Sequence, residues 1–130
     1  RIDVQEAERG RVKIDTEMPV MRNGTRQSYD LEGICKVEGG FWLAHEAAES
    51  GTENALIFVN ESGEVKEVHT LPEALLSQYG DPKNYGFEGL ACTPDGKYIY
   101  VALQRGFDAT KEQAAILRFD TMSKRWETAW

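Results

Sequence analysis

The chain has 130 residues, with 22 acidic against 15 basic side chains and a formal net charge of −7. That field disfavours nucleic acid and anionic membrane surfaces as partners and suits a cation. No apolar run approaches the roughly 20 residues of a membrane span, which excludes membrane insertion of this segment, and no signal peptide is visible. The charge is uneven: from Asp30 to Leu75 ten acidic residues face only Lys36 and Lys66.

In chain order, residues 2–20 alternate weakly, with Val12 and Ile14 apolar, and read together with the rest of 1–29 as the end of a preceding sheet unit. Arg22-Asn23-Gly24-Thr25 is a turn by its Asn-Gly step. Four short strands are expected near 33–37, 41–45, 55–60 and 65–70, separated by Gly39-Gly40, a polar loop at 49–54 and Ser62-Gly63. Pro72 then opens a run of helix formers that ends at Gly80, a short helix within a connection spanning 72–86. Strands follow near 89–93, 98–103 and 115–119 and from Arg125 onward, with Pro94-Asp95-Gly96-Lys97 as a hairpin turn.

The two halves are copies of one pattern. Leu31-Glu32-Gly33-Ile34 matches Phe87-Glu88-Gly89-Leu90, Phe41-Trp42-Leu43-Ala44-His45-Glu46 matches Ile99-Tyr100-Val101-Ala102-Leu103-Gln104, and Leu56-Ile57-Phe58-Val59-Asn60 matches Ile116-Leu117-Arg118-Phe119-Asp120. A period of roughly 40–60 residues built from short strands and turns indicates an all-β propeller. The expected organisation is one blade at 30–71, the helical connection, and a truncated blade at 87–130, beside the edge of a third. A propeller needs about four blades or more, so the remaining blades of the same protein are implied partners. The start at Arg1 and the end inside a strand-like run fit a piece of a longer protein.

In a propeller the first strand of each blade lines the central axis. Glu32 and Glu88 open equivalent first strands and are expected at the mouth of the channel, where two carboxylates repel unless one is protonated or a cation lies between them. Hard oxygen ligands of this kind suit calcium. The competing reading is that each glutamate caps a turn through backbone N–H groups. Glu46 and Gln104 end the second strands, on the same side as Trp42 and Ala44 and as Tyr100 and Ala102 respectively. His45 reads as a packing or loop residue and His69 as solvated, and neither belongs to a nucleophile or metal motif. Phe41, Trp42, Tyr98 and Tyr100 read as inter-blade packing. Cys35 and Cys92 sit one register apart in corresponding strands, so strand parity argues against a disulfide between them.

Asp30-Leu31-Glu32-Gly33-Ile34 with Gly40-Phe41-Trp42-Leu43-Ala44-His45-Glu46, and Asn84-Tyr85-Gly86-Phe87-Glu88-Gly89-Leu90-Ala91 with Thr93-Pro94-Asp95-Gly96-Lys97, resemble the phytase-like propeller family, also described as esterase-like activity of phytase. The resemblance covers about Asp30 to Trp126. It implies a β-propeller of the periplasm or extracellular space, distantly related to calcium-dependent phytases, in which calcium ions held by acidic residues bridge substrate phosphates and activate water. A phosphate-ester hydrolase is therefore the leading expectation. Glu32 and Glu88 are its catalytic carboxylates, and Glu32, Glu88 and Asp30 its Ca2+ ligands. Glu46, Gln104, Arg105 and Asn84 are the candidate contacts to the small-molecule ester. Gln104 departs from a carboxylate at the position matching Glu46. The alternative is a non-catalytic exported propeller binding a ligand or a structural calcium.

Overall fold

The computed structural model describes residues 17–47, 53–79, 86–104 and 114–130. Expectations for the leader up to residue 16, for most of the 49–54 loop, for Gly80 and for 81–85 lie outside these residues. A two-stranded hairpin comes first, β1 (Met21–Arg22) and β2 (Thr25–Arg26), turned by Asn23 and Gly24, both at positive φ. Two four-stranded antiparallel sheets follow. One runs β3 (Leu31–Val37), β4 (Gly40–His45), β5 (Ala55–Asn60), β6 (Val65–Thr70), and the other β7 (Phe87–Cys92), β8 (Tyr98–Leu103), β9 (Ile116–Asp120), β10 (Arg125–Thr128). In each, neighbours in space are neighbours in sequence, the meander of a propeller blade. The two sheets do not close into a ring.

Local chemistry explains the turns. Asn60 Oδ1 accepts the N–H groups of Ser62 and Glu64, and Asp120 Oδ1 those of Met122 and Ser123, so the corresponding turns of the two blades are built alike. Between the sheets, α1 (Glu73–Tyr79) starts where the Pro72 carbonyl accepts the N–H groups of Leu75 and Leu76. Leu75 and Leu76 then pack onto the core between the blades. No helix among the described residues is long and apolar enough to cross a membrane.

The core lies in the seam between the blades. Trp42, Ala44 and Leu56 of the first meet Ile99, Val101, Leu103, Leu117 and Phe119 of the second, with Phe87 fully buried beside them. Fully burying each such large apolar side chain is worth about 1.5–3 kcal/mol. The other face of the first blade carries Leu43, Ala55, Ile57 and Val59 and is covered by Val20 and Tyr29. This double burial gives β4 its nearly unbroken apolar run, whereas β8 alternates. Trp42 is the packing residue expected, while Tyr98 and Tyr100 lie on the outer face of the second blade, where Lys97 and Arg118 sit over the Tyr98 ring.

At the outer end of the seam His69 is packed rather than solvated. Its ring lies 4.6 Å from that of Phe119, and its Nε2 is 2.7 Å from Glu67 Oε2, which also accepts from Lys124 Nζ of the second blade at 2.5 Å. Burial raises the Glu67 pKa, but the hydrogen bonds from Lys124 and His69 outweigh it and hold the carboxyl below its ordinary range. A partly exposed pair of this kind contributes about 0–1 kcal/mol. It bridges the two blades at their outer end, and the apolar core supplies most of their cohesion.

The cysteines require a correction. Cys35 and Cys92 are joined as a disulfide between β3 and β7, with Cα atoms 6.2 Å apart. The parity count is right, but its consequence is the reverse of the one drawn from sequence. Blades stack like pages, so equivalent residues point the same way around the axis, and side chains that face each other across a seam stand one register apart. Cys35 shares the face of its pair partner Trp42, and Cys92 that of Ile99; both faces line the seam. In the chain-entropy picture, closing a separation of 57 residues is worth about 4 kcal/mol. Chemical denaturation of the full-length protein with and without reductant should therefore show a loss of about 2–4 kcal/mol on reduction, matched by Cys35→Ser. Unchanged stability would contradict the cross-link.

Candidate functional site

The inner strands β3 and β7 begin two residues earlier than the sequence pattern suggested, and each contains an irregularity. Leu31 pairs with His45 and Gly33 with Ala44, leaving Glu32 without a partner; Phe87 pairs with Leu103 and Gly89 with Ala102, leaving Glu88 likewise. Each glutamate thus occupies a β-bulge, a device that turns a side chain out of the alternation of its strand. The glycine after it has its own role. A Cβ on Gly33 would lie 2.8 Å from Leu90 Cβ and 2.9 Å from Leu90 N, so only glycine lets β7 approach β3 this closely.

The residues preceding the bulges are anchored to the ends of the second strands. The Asp30 carbonyl accepts the Glu46 N–H at 2.9 Å, and the Gly86 carbonyl accepts the Gln104 N–H at 3.0 Å, the same bond in both copies. Buried His45, under the edge of Tyr29, places Nδ1 against both backbone groups of Asp30, 3.1 Å from N and 3.0 Å from O. These contacts give His45 the packing role expected of it and hold Asp30 beside the bulge. Glu46 reaches across the seam, where its Oε1 accepts the Gly86 N–H at 3.0 Å.

Asp30, Glu32 and Glu46 converge: one carboxylate oxygen from each lies within 4.8 Å of the others. Partial desolvation, then the negative charges of Asp30, Glu88 and Glu46, hold the Glu32 carboxyl above its ordinary range. Glu88 is close enough to act on that charge but is not one of the three converging groups. Gln104 is exposed and is tied in through its backbone. Asn84 and Arg105 lie outside the described residues. Sequence reading missed Asn54, a buried residue whose Oδ1 sits 3.2 Å from the Ala47 nitrogen and 3.4 Å from that of Phe87. The available signal was an asymmetry between the repeats, because register places Ala114 at the matching position of the second blade.

Two stacked four-stranded meanders, with an acidic cluster gathered around the bulge of the first inner strand, define a fragment of a β-propeller that concentrates negative charge at one end of a seam. The model of the phytase-like family, described as esterase-like activity of phytase, matches residues 1–130, and the chain belongs to that family. No curated protein and no solved structure matches the chain.

The raised Glu32 pKa fixes a sign. A carboxyl whose folded pKa lies above its unfolded value contributes stability below the unfolded pKa and loses it as pH rises through the folded one. In low salt with a chelator, Glu32→Gln should therefore match wild type near about pH 4 and melt higher than wild type near about pH 7. A difference that does not change with pH would contradict the repulsion.

Proposed function

We propose that this segment supplies part of a divalent-cation site, best suited to calcium, in a phytase-like hydrolase that acts on a small phosphate ester. The observation that carries the reading is the convergence of Asp30, Glu32 and Glu46, where partial desolvation and then the neighbouring negative charges hold the Glu32 carboxyl above its ordinary range. Three carboxylate donors, Asp30 and Glu32 exposed and Glu46 half-buried, offer only oxygen and fit a hard cation, and a bound cation would relieve the repulsion. Asp30, Glu32 and Glu46 would hold it, with Glu88 adding charge from the neighbouring blade. Such a cation supplies positive charge for a phosphate group and an acidified water.

In this reading the chain's own residues place charge. The bulges aim Glu32 and Glu88, the backbone bonds of Asp30 and Gly86 fix where the second strands end, and Gln104, Asn84 and Arg105 are candidates for contact with the ester. An acidic rim binds a polyanionic substrate only through cations, which ties substrate affinity to metal loading. A disulfide in the seam supports an oxidising location, periplasmic or extracellular. One observation favours a second reading, a structural calcium in a non-catalytic propeller. Glu46 already serves the neighbouring blade through Gly86, so a cation there would reinforce the seam.

Thermal unfolding and phosphomonoester hydrolysis of the full-length protein, each with calcium or chelator, separate these readings. Calcium at about 100 times its Kd should raise the melting temperature by roughly 5–10 °C. Glu32→Gln/Glu88→Gln should abolish that rise and lower calcium-dependent hydrolysis by on the order of 100-fold. A calcium response without hydrolysis would leave the structural site, and no response would remove the cation.

A further inference from the structure

Asn54 stands at the start of β5, only 5% exposed. Its Oδ1 receives two backbone amides that belong to different blades. One is that of Ala47, the residue after Glu46, at 3.2 Å; the other is that of Phe87, the residue before Glu88, at 3.4 Å, the long end of the hydrogen-bonding range. Closing the loop between β4 and β5 would need only the first of these. The second crosses the seam, and the contact is tight: a Cβ on Gly86 would fall 1.7 Å from Asn54 Oδ1, so the chain has no side chain there. Glu46 Oε1 takes the Gly86 N–H itself, and two adjacent amides of the second blade are therefore gripped by side chains of the first. The matching residue of the second blade, Ala114, is exposed and its methyl side chain has no oxygen to offer, which makes the grip a property of this seam and not of the repeat.

We propose that Asn54 is the positioning residue of the acidic cluster, its buried oxygen locking the backbone beside Glu46 to the backbone beside Glu88 so that carboxylates of two blades face one site. It holds no ligand and touches no substrate; it sets the separation of groups that do. The inference deepens the proposed function and rests on its reading of these carboxylates as one site.

The test combines amide hydrogen exchange with calcium calorimetry on the full-length protein. In Asn54→Ala the amides of Ala47 and Phe87 should exchange at least about tenfold faster while those of Ile99 and Val101 stay protected. Calcium affinity should fall about 10–100-fold although every ligand remains. Asn54→Asp, which keeps the accepting oxygen, should retain Phe87 protection. In a Glu88→Gln background Asn54→Ala should cost much less affinity than in wild type. Unchanged Phe87 exchange, exchange that quickens equally through β8, or an affinity loss as large without Glu88 would each overturn the proposal. Where Asn54→Ala does not fold, Asn54→Ser, whose hydroxyl is too short to reach both amides, takes its place. If wild type binds no calcium, the cation reading fails separately, and the exchange at Phe87 decides for or against the clamp.

Discussion

The inner strands of the two blades run so close that Gly33 has no room for a Cβ against Leu90, yet each strand carries a glutamate at its first irregularity. Close approach and like charge oppose each other, and much of the surrounding structure serves to hold the strands together against that repulsion. The disulfide Cys35–Cys92 joins them further along, the apolar core behind them binds the sheets, and Glu46 and Asn54 grip the second blade at the charged end. The order of magnitude matters here. A cross-link worth about 4 kcal/mol and several buried side chains at about 1.5–3 kcal/mol each can hold exposed charges in place that a surface ion pair of about 0–1 kcal/mol could not.

The geometry of stacking organises the rest. Equivalent residues of successive blades point the same way around the axis, so one repeat position has different surroundings in each copy. Trp42 is buried in the seam, while its counterpart Tyr100 lies on the outer face of the second blade and is only half-buried. Asn54 is buried against Gly86, while Ala114 faces solvent. The glycine that follows each glutamate makes the same point: Gly33 is crowded by the neighbouring strand, whereas a Cβ on Gly89 would meet only Ala102, at an ordinary 3.7 Å. A repeat sequence thus encodes both a residue's direction and the neighbour it meets, and only the first is the same in every copy.

That distinction explains what could be read from the sequence. Turn chemistry at Asn23-Gly24, Ser62-Gly63 and Pro94-Asp95-Gly96, the helix formers after Pro72, the alternation in β6 and β8, and the doubled Glu-Gly step are local signals, and they mark the strands, the helix near 73–79 and the candidate carboxylates. The bulges are not local. They depend on which residue the partner strand offers, so the glutamates read as opening their strands although each lies within one, at an irregularity. Strand parity alone argues against the disulfide, because it gives each cysteine's direction but not that stacked blades bring opposite faces of corresponding strands together in the seam. His69 read as solvated because its own strand alternates, and the Phe119 ring that covers it comes from the other blade. Glu46 reads from the sequence as the counterpart of Gln104 and a contact to the ester, but its bond to Gly86 depends on the seam.

The central claim is that the carboxylates of Asp30, Glu32 and Glu46, set by the seam between two blades, form one cation site. A crystal structure of the full-length protein with a calcium-mimicking lanthanide tests it most directly, because anomalous scattering locates the ion without reference to activity. The account predicts an anomalous peak bounded by oxygens of Asp30, Glu32 and Glu46, at about 2.3–2.6 Å from each ligand. A lanthanide bound elsewhere on the protein, with these three carboxylates still facing solvent, would contradict it.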